Sequence, residues 1–173
     1  PYGDLAFEDA VAAYGEIVRY GAAAGADLIL VETMSDTYEI KAAVLAAKEN
    51  CDLPICVTMT FDQDGKLLTG ATVEAAALMC EGLGVDAIGF NCGLGPVQVG
   101  KLLPQMLAAT SLPVIINPNA GLPVEKDGKT CFEVGPEEYA ELMYVLAQQG
   151  PSIVGGCCGT TPAHIEAMIK KCK

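Results

Sequence analysis

The sequence predicts an α/β protein with a parallel sheet and, within that class, a partial (β/α)8 barrel. Three observations carry the prediction. Short apolar runs alternate without a break with helical patterns, as strands do in a parallel sheet covered by helices. Each run ends in polar or sulfur-bearing residues, and both open and closed parallel α/β folds place their sites at that C-terminal edge. Cysteines end the third and fifth runs. A barrel brings those ends around one mouth, whereas a flat doubly wound sheet, the other solution, spreads them apart. The chain has 173 residues, short of the ~250 of a full barrel, so the barrel has its first three units missing.

The chain opens on Pro1 in mid-rhythm, with a helix leading straight into a strand, and reads as cut from something longer. The first predicted strand, "DLILVET" (27–33), ends in Glu32 and Thr33. The second, "PICVTMT" (54–60), carries Thr58 and Thr60. The third, "DAIGFNC" (86–92), ends in Asn91 and Cys92, and the fourth, "PVIINPN" (113–119), holds Asn117 and Asn119. The fifth, "SIVGGCC" (152–158), ends in Cys157 and Cys158. Between them lie helical stretches such as "TYEIKAAVLAAKEN" and "PEEYAELMYVLAQQG". The last helix, "PAHIEAMIKKC", has Thr161 as N-cap and Pro162 at its first position. "DQDGK" (62–66) and "EKDGK" (125–129) read as solvated turns. Asp62, Asp64 and Gly65 begin like a calcium loop, but no glutamate follows at the required spacing.

Composition narrows the function. Hydrophobic residues make up 51% and charged residues 18%, which describes a globular chain. A net charge of -12 argues against nucleic acid and against an anionic membrane surface. No apolar run approaches the ~20 residues of a membrane helix, and no signal peptide opens the chain. Eight cysteines lie within an α/β pattern and not in a small loop-rich scaffold, so they do not read as a disulfide framework. A reducing cytoplasm is the expected compartment. No Gly-rich strand-to-helix turn of the GxGxxG kind occurs, which makes a flavin or phosphate-binding barrel a weaker reading.

Two adjacent cysteines in an extended strand would face opposite ways. Gly155, Gly156 and Gly159 flank Cys157 and Cys158 and give the backbone freedom to bend, so both sulfurs are expected to converge. With Cys92 they form a three-thiol set suited to zinc. Three protein ligands leave one position open, as in catalytic zinc sites. Such a site suits activation of an external thiol more than of water. Two other readings of these cysteines stand beside it: core filling, as for Cys56 and Cys80, and a vicinal Cys157–Cys158 redox pair. Cys51 and Cys172 fall near helix ends and Cys131 in a long loop. His164, the only histidine, is expected to face solvent or make cap contacts. Glu32 either caps a helix or pairs with a substrate ammonium group. Asn119, in "NPNAGLP", is either a turn former or an amide whose oxygen fills the metal's free position.

The motifs "GFNCGLGP", "NPNAGLP" and "GGCCGTTPAHI", with "LILVETMSDTYEIKAAVLAAKE", resemble the homocysteine S-methyltransferase family over essentially the whole chain. "TMTFDQDGKLLTGATVEAA" favours the cobalamin-dependent branch. The resemblance implies that residues 1–173 are the C-terminal part, strands four to eight, of a homocysteine-binding (β/α)8 barrel. It implies that Cys92, Cys157 and Cys158 hold zinc, that Glu32 holds the amino group of homocysteine and that Asn119 lies close to the metal. The implied reaction is methyl transfer to homocysteine giving methionine, with methylcobalamin as donor on a corrinoid-binding module or another protein. Two open sheet edges are a liability. The chain is therefore expected to self-associate or to pair with the missing N-terminal barrel half. A non-catalytic zinc-binding fragment and a Cys-Cys redox protein are the competing readings.

Overall fold

The computed structural model describes residues 3–173. Pro1, on which the expectation of a longer chain was based, lies outside them. Helix α1 (Phe7–Ala23) leads into β1 (Ile29–Met34), α2 (Thr37–Asn50), β2 (Ile55–Met59), α3 (Val73–Gly82), β3 (Ala87–Asn91), α4 (Pro96–Ala109) and β4 (Val114–Asn117). A hairpin of β5 (Val124–Lys126) and β6 (Lys129–Cys131) follows, then α5 (Pro136–Ala147), β7 (Ile153–Val154) and α6 (Pro162–Cys172). The main sheet is parallel, in the order β1-β2-β3-β4-β7. Each strand lies beside its predecessor, with only the hairpin set apart, as one arc of a (β/α) barrel requires. No described helix is long and apolar enough to cross a membrane.

The helices start where the sequence stops offering strand. Asp36 accepts a hydrogen bond from the Glu39 amide at 2.8 Å and caps α2. Thr72 caps α3 through the Ala75 amide. Alanines 42, 43, 46 and 47 of α2 are buried, and their small size lets the helix lie close on the sheet. The outer face of the sheet carries the core: Ile55, Val57, Met59, Ile88, Phe90, Val114 and Ile116 pack with Val44, Leu103, Met106 and Met143. The inner face is thinner. Cys56, Ala87 and Ile115 form a separate small cluster there. Leu30, in register with Cys56, is 43% exposed, and Ile153, in register with Ile115, is 48% exposed. These two sit on the edge strands, where the arc ends.

Two elements differ from expectation. The last strand stops at Val154 because the chain then turns to follow the loop after β4. Gly155 N–H donates to Ile116 O and Cys157 N–H to Pro118 O, each at 2.9 Å. "EKDGK" is the tip of the β5–β6 hairpin, and this places Cys131 at a strand end, not in a long loop. Asp127 (φ 52°) and Gly128 (φ 71°) form its turn, and the Asp-Gly pair is the sequence signal for it.

Gly89 lies in the middle of β3 against Ile115. A Cβ there would collide with the Ile115 carbonyl group and stand 2.8 Å from the Ile115 Cβ. Backbone in a central strand cannot yield, so Gly89→Ala is expected to destabilise by about 3 kcal/mol or more. A denaturant midpoint measurement checks this.

Candidate metal centre

Three sulfurs meet at the C-terminal edge of the sheet. Cys92 follows β3, and Cys157 and Cys158 follow β7. Cys92 Sγ is 3.5 Å from Cys158 Sγ, Cys157 Sγ is 4.0 Å from Cys158 Sγ, and all three lie within 4.8 Å of one another. Three thiolates bound tetrahedrally at ~2.3 Å from a zinc ion would be about 3.8 Å apart. The thiol set therefore fits zinc in donor type and in spacing. Cys92 and Cys157 are half-buried and Cys158 is exposed, which leaves the centre open on one side.

The backbone around the sulfurs is held tightly. Cys92 adopts φ 58°, an uncommon left-handed conformation for a residue with a side chain, and its N–H donates to Asn117 O at 3.2 Å. The flanking glycines serve two purposes. Gly159 does take a left-handed φ, 80°. Gly155 and Gly156 are needed for space instead. A Cβ at Gly155 would collide with the Asn117 amide oxygen, and one at Gly156 would come within 2.7 Å of Thr160 Cγ2. The bend therefore depends as much on close packing as on backbone freedom.

Asn119 is buried, and its Oδ1 accepts from the Cys158 N–H at 3.0 Å. Its amide braces the cysteine loop directly. His164 is buried and takes the cap role, not the solvent-facing one. Its Nδ1 accepts from Thr161 N–H at 3.2 Å, and its Nε2, 2.9 Å from Val134 O, must donate to that carbonyl. With both ring nitrogens engaged, His164 has no lone pair for a metal.

Glu32 is exposed at the end of β1 and caps no helix: no hydrogen bond or ion pair engages its carboxylate among the described residues. Its neighbour Thr33 connects it to the sulfurs through Asn91. Two residues outside the predicted set thus matter here, Asn91 and Tyr139. Asn91 faces inward on the same strand face as Ala87, so its alternation within "AIGFN" was the available signal. Tyr139 is fully buried on α5, and its hydroxyl lies 2.8 Å from Gly155 O and 3.1 Å from Pro118 O. Nothing in its sequence context distinguishes it from an ordinary core tyrosine.

Both thiols of the pair are raised above their ordinary values. A hydrogen bond to Cys92, then burial, pushes the Cys158 thiol up to about 11. Burial, followed by the charge of Cys92, raises Cys157. Away from the centre, burial alone pushes the Cys80 thiol up to about 12, as befits an inert core cysteine. Cys56 is likewise buried in the inner cluster.

The fold and the centre together define a (β/α)-barrel segment with three thiols at its strand ends. The family model for homocysteine S-methyltransferase matches residues 1–172, and the chain belongs to that family. It is 40% identical over 157 residues to the methionine synthase of Mycobacterium leprae, covering 86% of this chain and 13% of that protein. It is 42% identical over 147 residues to the methionine synthase of Mycobacterium tuberculosis, covering 82% of this chain and 12% of the relative. The chain thus spans about an eighth of the length of these relatives. Among solved structures, the apo form of the homocysteine methyltransferase MmuM from Escherichia coli superposes with a TM-score of 0.79 at 24% identity, over 97% of this chain and 58% of that one. A dihydrodipicolinate synthase from Bacillus anthracis matches with a TM-score of 0.62 at 15% identity, over 98% of this chain and 55% of the other. These likenesses establish the fold.

Proposed function

We propose that residues 1–173 are the C-terminal part of a homocysteine-binding barrel domain that takes part in methyl transfer to homocysteine, giving methionine. The observation that carries the reading is the convergence of Cys92, Cys157 and Cys158 in a chain of this family. These three would hold a zinc ion. Bound there, zinc supplies the means to hold an incoming thiol as its nucleophilic thiolate. The chain's residues do the rest. Asn119 braces the Cys158 backbone. Glu32, exposed on the same rim, pairs with the ammonium group of the substrate. The donor in this reading is methylcobalamin, carried on a corrinoid-binding module or a separate protein, in keeping with the much greater length of the methionine synthases it matches. Its setting is the cytoplasm.

The exposed inner face at Leu30 and Ile153 supports a role for further barrel strands, supplied by an N-terminal half or replaced by a second copy. Homocysteine methyl transfer by this chain alone is therefore expected to be weak. A version extended at the N-terminus by the missing barrel half should restore it. Equal turnover by the two would contradict this.

Zinc binding is expected to strengthen as pH rises. Both Cys157 and Cys158 are protonated below their raised values and must lose their protons to bind. Zinc takes all three ligands as thiolates, so up to three protons are displaced and affinity rises by up to about a thousandfold per pH unit below that range. Competition with a chromophoric chelator between pH 6 and 8, on the order of the neutral range, measures the slope. A flat profile would contradict the ligand assignment.

A further inference from the structure

We propose that Asn91 is the positioning residue that sets Glu32 against the sulfur centre, so that one substrate is held at its thiol and at its ammonium group together. The inference rests on the reading of the site given above. It begins with an irregularity in β1. The register Val31↔Val57 and Met34↔Met59 leaves Glu32 and Thr33 opposite the single residue Thr58. That is a β-bulge, a device that re-aims side chains and recurs beside active sites. Thr33 sits in it at φ 63°. Glu32 and Thr33 are both exposed, which breaks the in-and-out alternation of a regular strand.

Something must hold this bulge in place, and Thr58 does not. Its hydroxyl is buried with no hydrogen-bond partner. Asn91, 1% exposed, reaches past β2 to do so. Its Oδ1 accepts from the Thr33 N–H at 2.9 Å, and its Nδ2 donates to Thr33 Oγ1 at 2.7 Å. A backbone N–H can only donate, so this pairing also settles which way the amide faces. The other side of Nδ2 faces Cys157 Sγ at 3.9 Å. The Asn91 carbonyl is held in turn by Thr60 Oγ1 at 3.0 Å. One buried amide therefore touches a sulfur of the centre and the residue next to Glu32. Only a primary amide of this length offers an acceptor and two donors at one point. Aspartate lacks the donors and leucine lacks both.

The test compares two thiols on the zinc-loaded chain by titration calorimetry. L-homocysteine carries the ammonium group, and 4-mercaptobutanoate lacks it. The wild-type chain is expected to prefer homocysteine. On zinc-saturated protein, Asn91→Leu should lose about tenfold of that preference, its affinity for homocysteine falling more than its affinity for 4-mercaptobutanoate. Glu32→Gln should lose the same preference, and the double variant should lose no more than either alone. Thr33→Val, which removes only the hydroxyl, should show a smaller loss and serves if Asn91→Leu does not fold. An unchanged preference in zinc-loaded Asn91→Leu overturns the inference. Equal weakening of both thiols also overturns it, because Asn91 would then serve the sulfur centre alone. A wild-type chain that takes up no zinc overturns instead the reading on which the inference rests.

Discussion

Replacing Cys92 by alanine is expected to weaken zinc binding a hundredfold or more. The three sulfurs come from two segments far apart in sequence, and among the described residues no fourth cysteine, histidine or carboxylate joins the cluster. Both nitrogens of His164 are committed to Thr161 and Val134. Zinc sites with four protein ligands gain about 10–16 kcal/mol, or roughly 3 kcal/mol per ligand. Losing one of three therefore weakens binding a hundredfold or more, by about 1.4 kcal/mol per factor of ten. Cys157→Ala and Cys158→Ala should behave alike. Cys131→Ser, on the hairpin, should keep its zinc. The metal-free stability of Cys158→Ala should change little, since its side chain is exposed. Chelator competition and a thermal melt separate the two effects. A Cys92→Ala chain with undiminished zinc affinity would show that the metal lies elsewhere.

Tyr139→Phe is expected to damage the centre without touching it. The ring would keep its packing, including the edge contact with His164 at 5.7 Å between centroids. The hydroxyl would be lost from between Gly155 O and Pro118 O. Pro118 O keeps the Cys157 N–H, but Gly155 O would be left unpaired, which costs about 1–3 kcal/mol. The consequence goes further because of what those carbonyls belong to. Gly155 begins the loop that carries Cys157 and Cys158. Pro118 accepts the Cys157 N–H and precedes Asn119, which holds the Cys158 N–H. One hydroxyl thus ties together both loops that shape the sulfur pair. Burial, and then the charge of Cys157, push the Tyr139 phenol far above its usual value, so it remains a donor throughout the neutral range. Groups that support metal ligands from behind are typically worth about 10–100-fold in metal affinity, and that is the loss expected here. Denaturation with and without zinc checks both parts. Lower stability with undiminished zinc affinity would reduce Tyr139 to a packing residue.

Much of this was legible in the sequence because it depends on local pattern. Apolar runs and helical stretches marked all the strands of the parallel sheet, and the residues at their ends marked the working edge. Cys92, Cys157 and Cys158 stood out because neighbouring cysteines between glycines have few ordinary uses. The rest depends on contacts across the chain. The bulge at Glu32 and Thr33 is a matter of register between strands, which no single segment encodes. Tyr139 looks like any core tyrosine until the carbonyls above it are seen. Strand β7 was read too long because "IVGGCC" is apolar, whereas its backbone leaves the sheet at Gly155 to follow the loop after β4. The hairpin was passed over although its Asp-Gly pair announced it.

The zinc content of the purified chain, reconstituted under reducing conditions, tests the central claim most directly. About one ion per chain is predicted for an open three-thiol site, with a metal–sulfur distance of ~2.3 Å and three sulfur neighbours by X-ray absorption. A chain that takes up no zinc, or binds it through nitrogen and oxygen alone, would contradict the account.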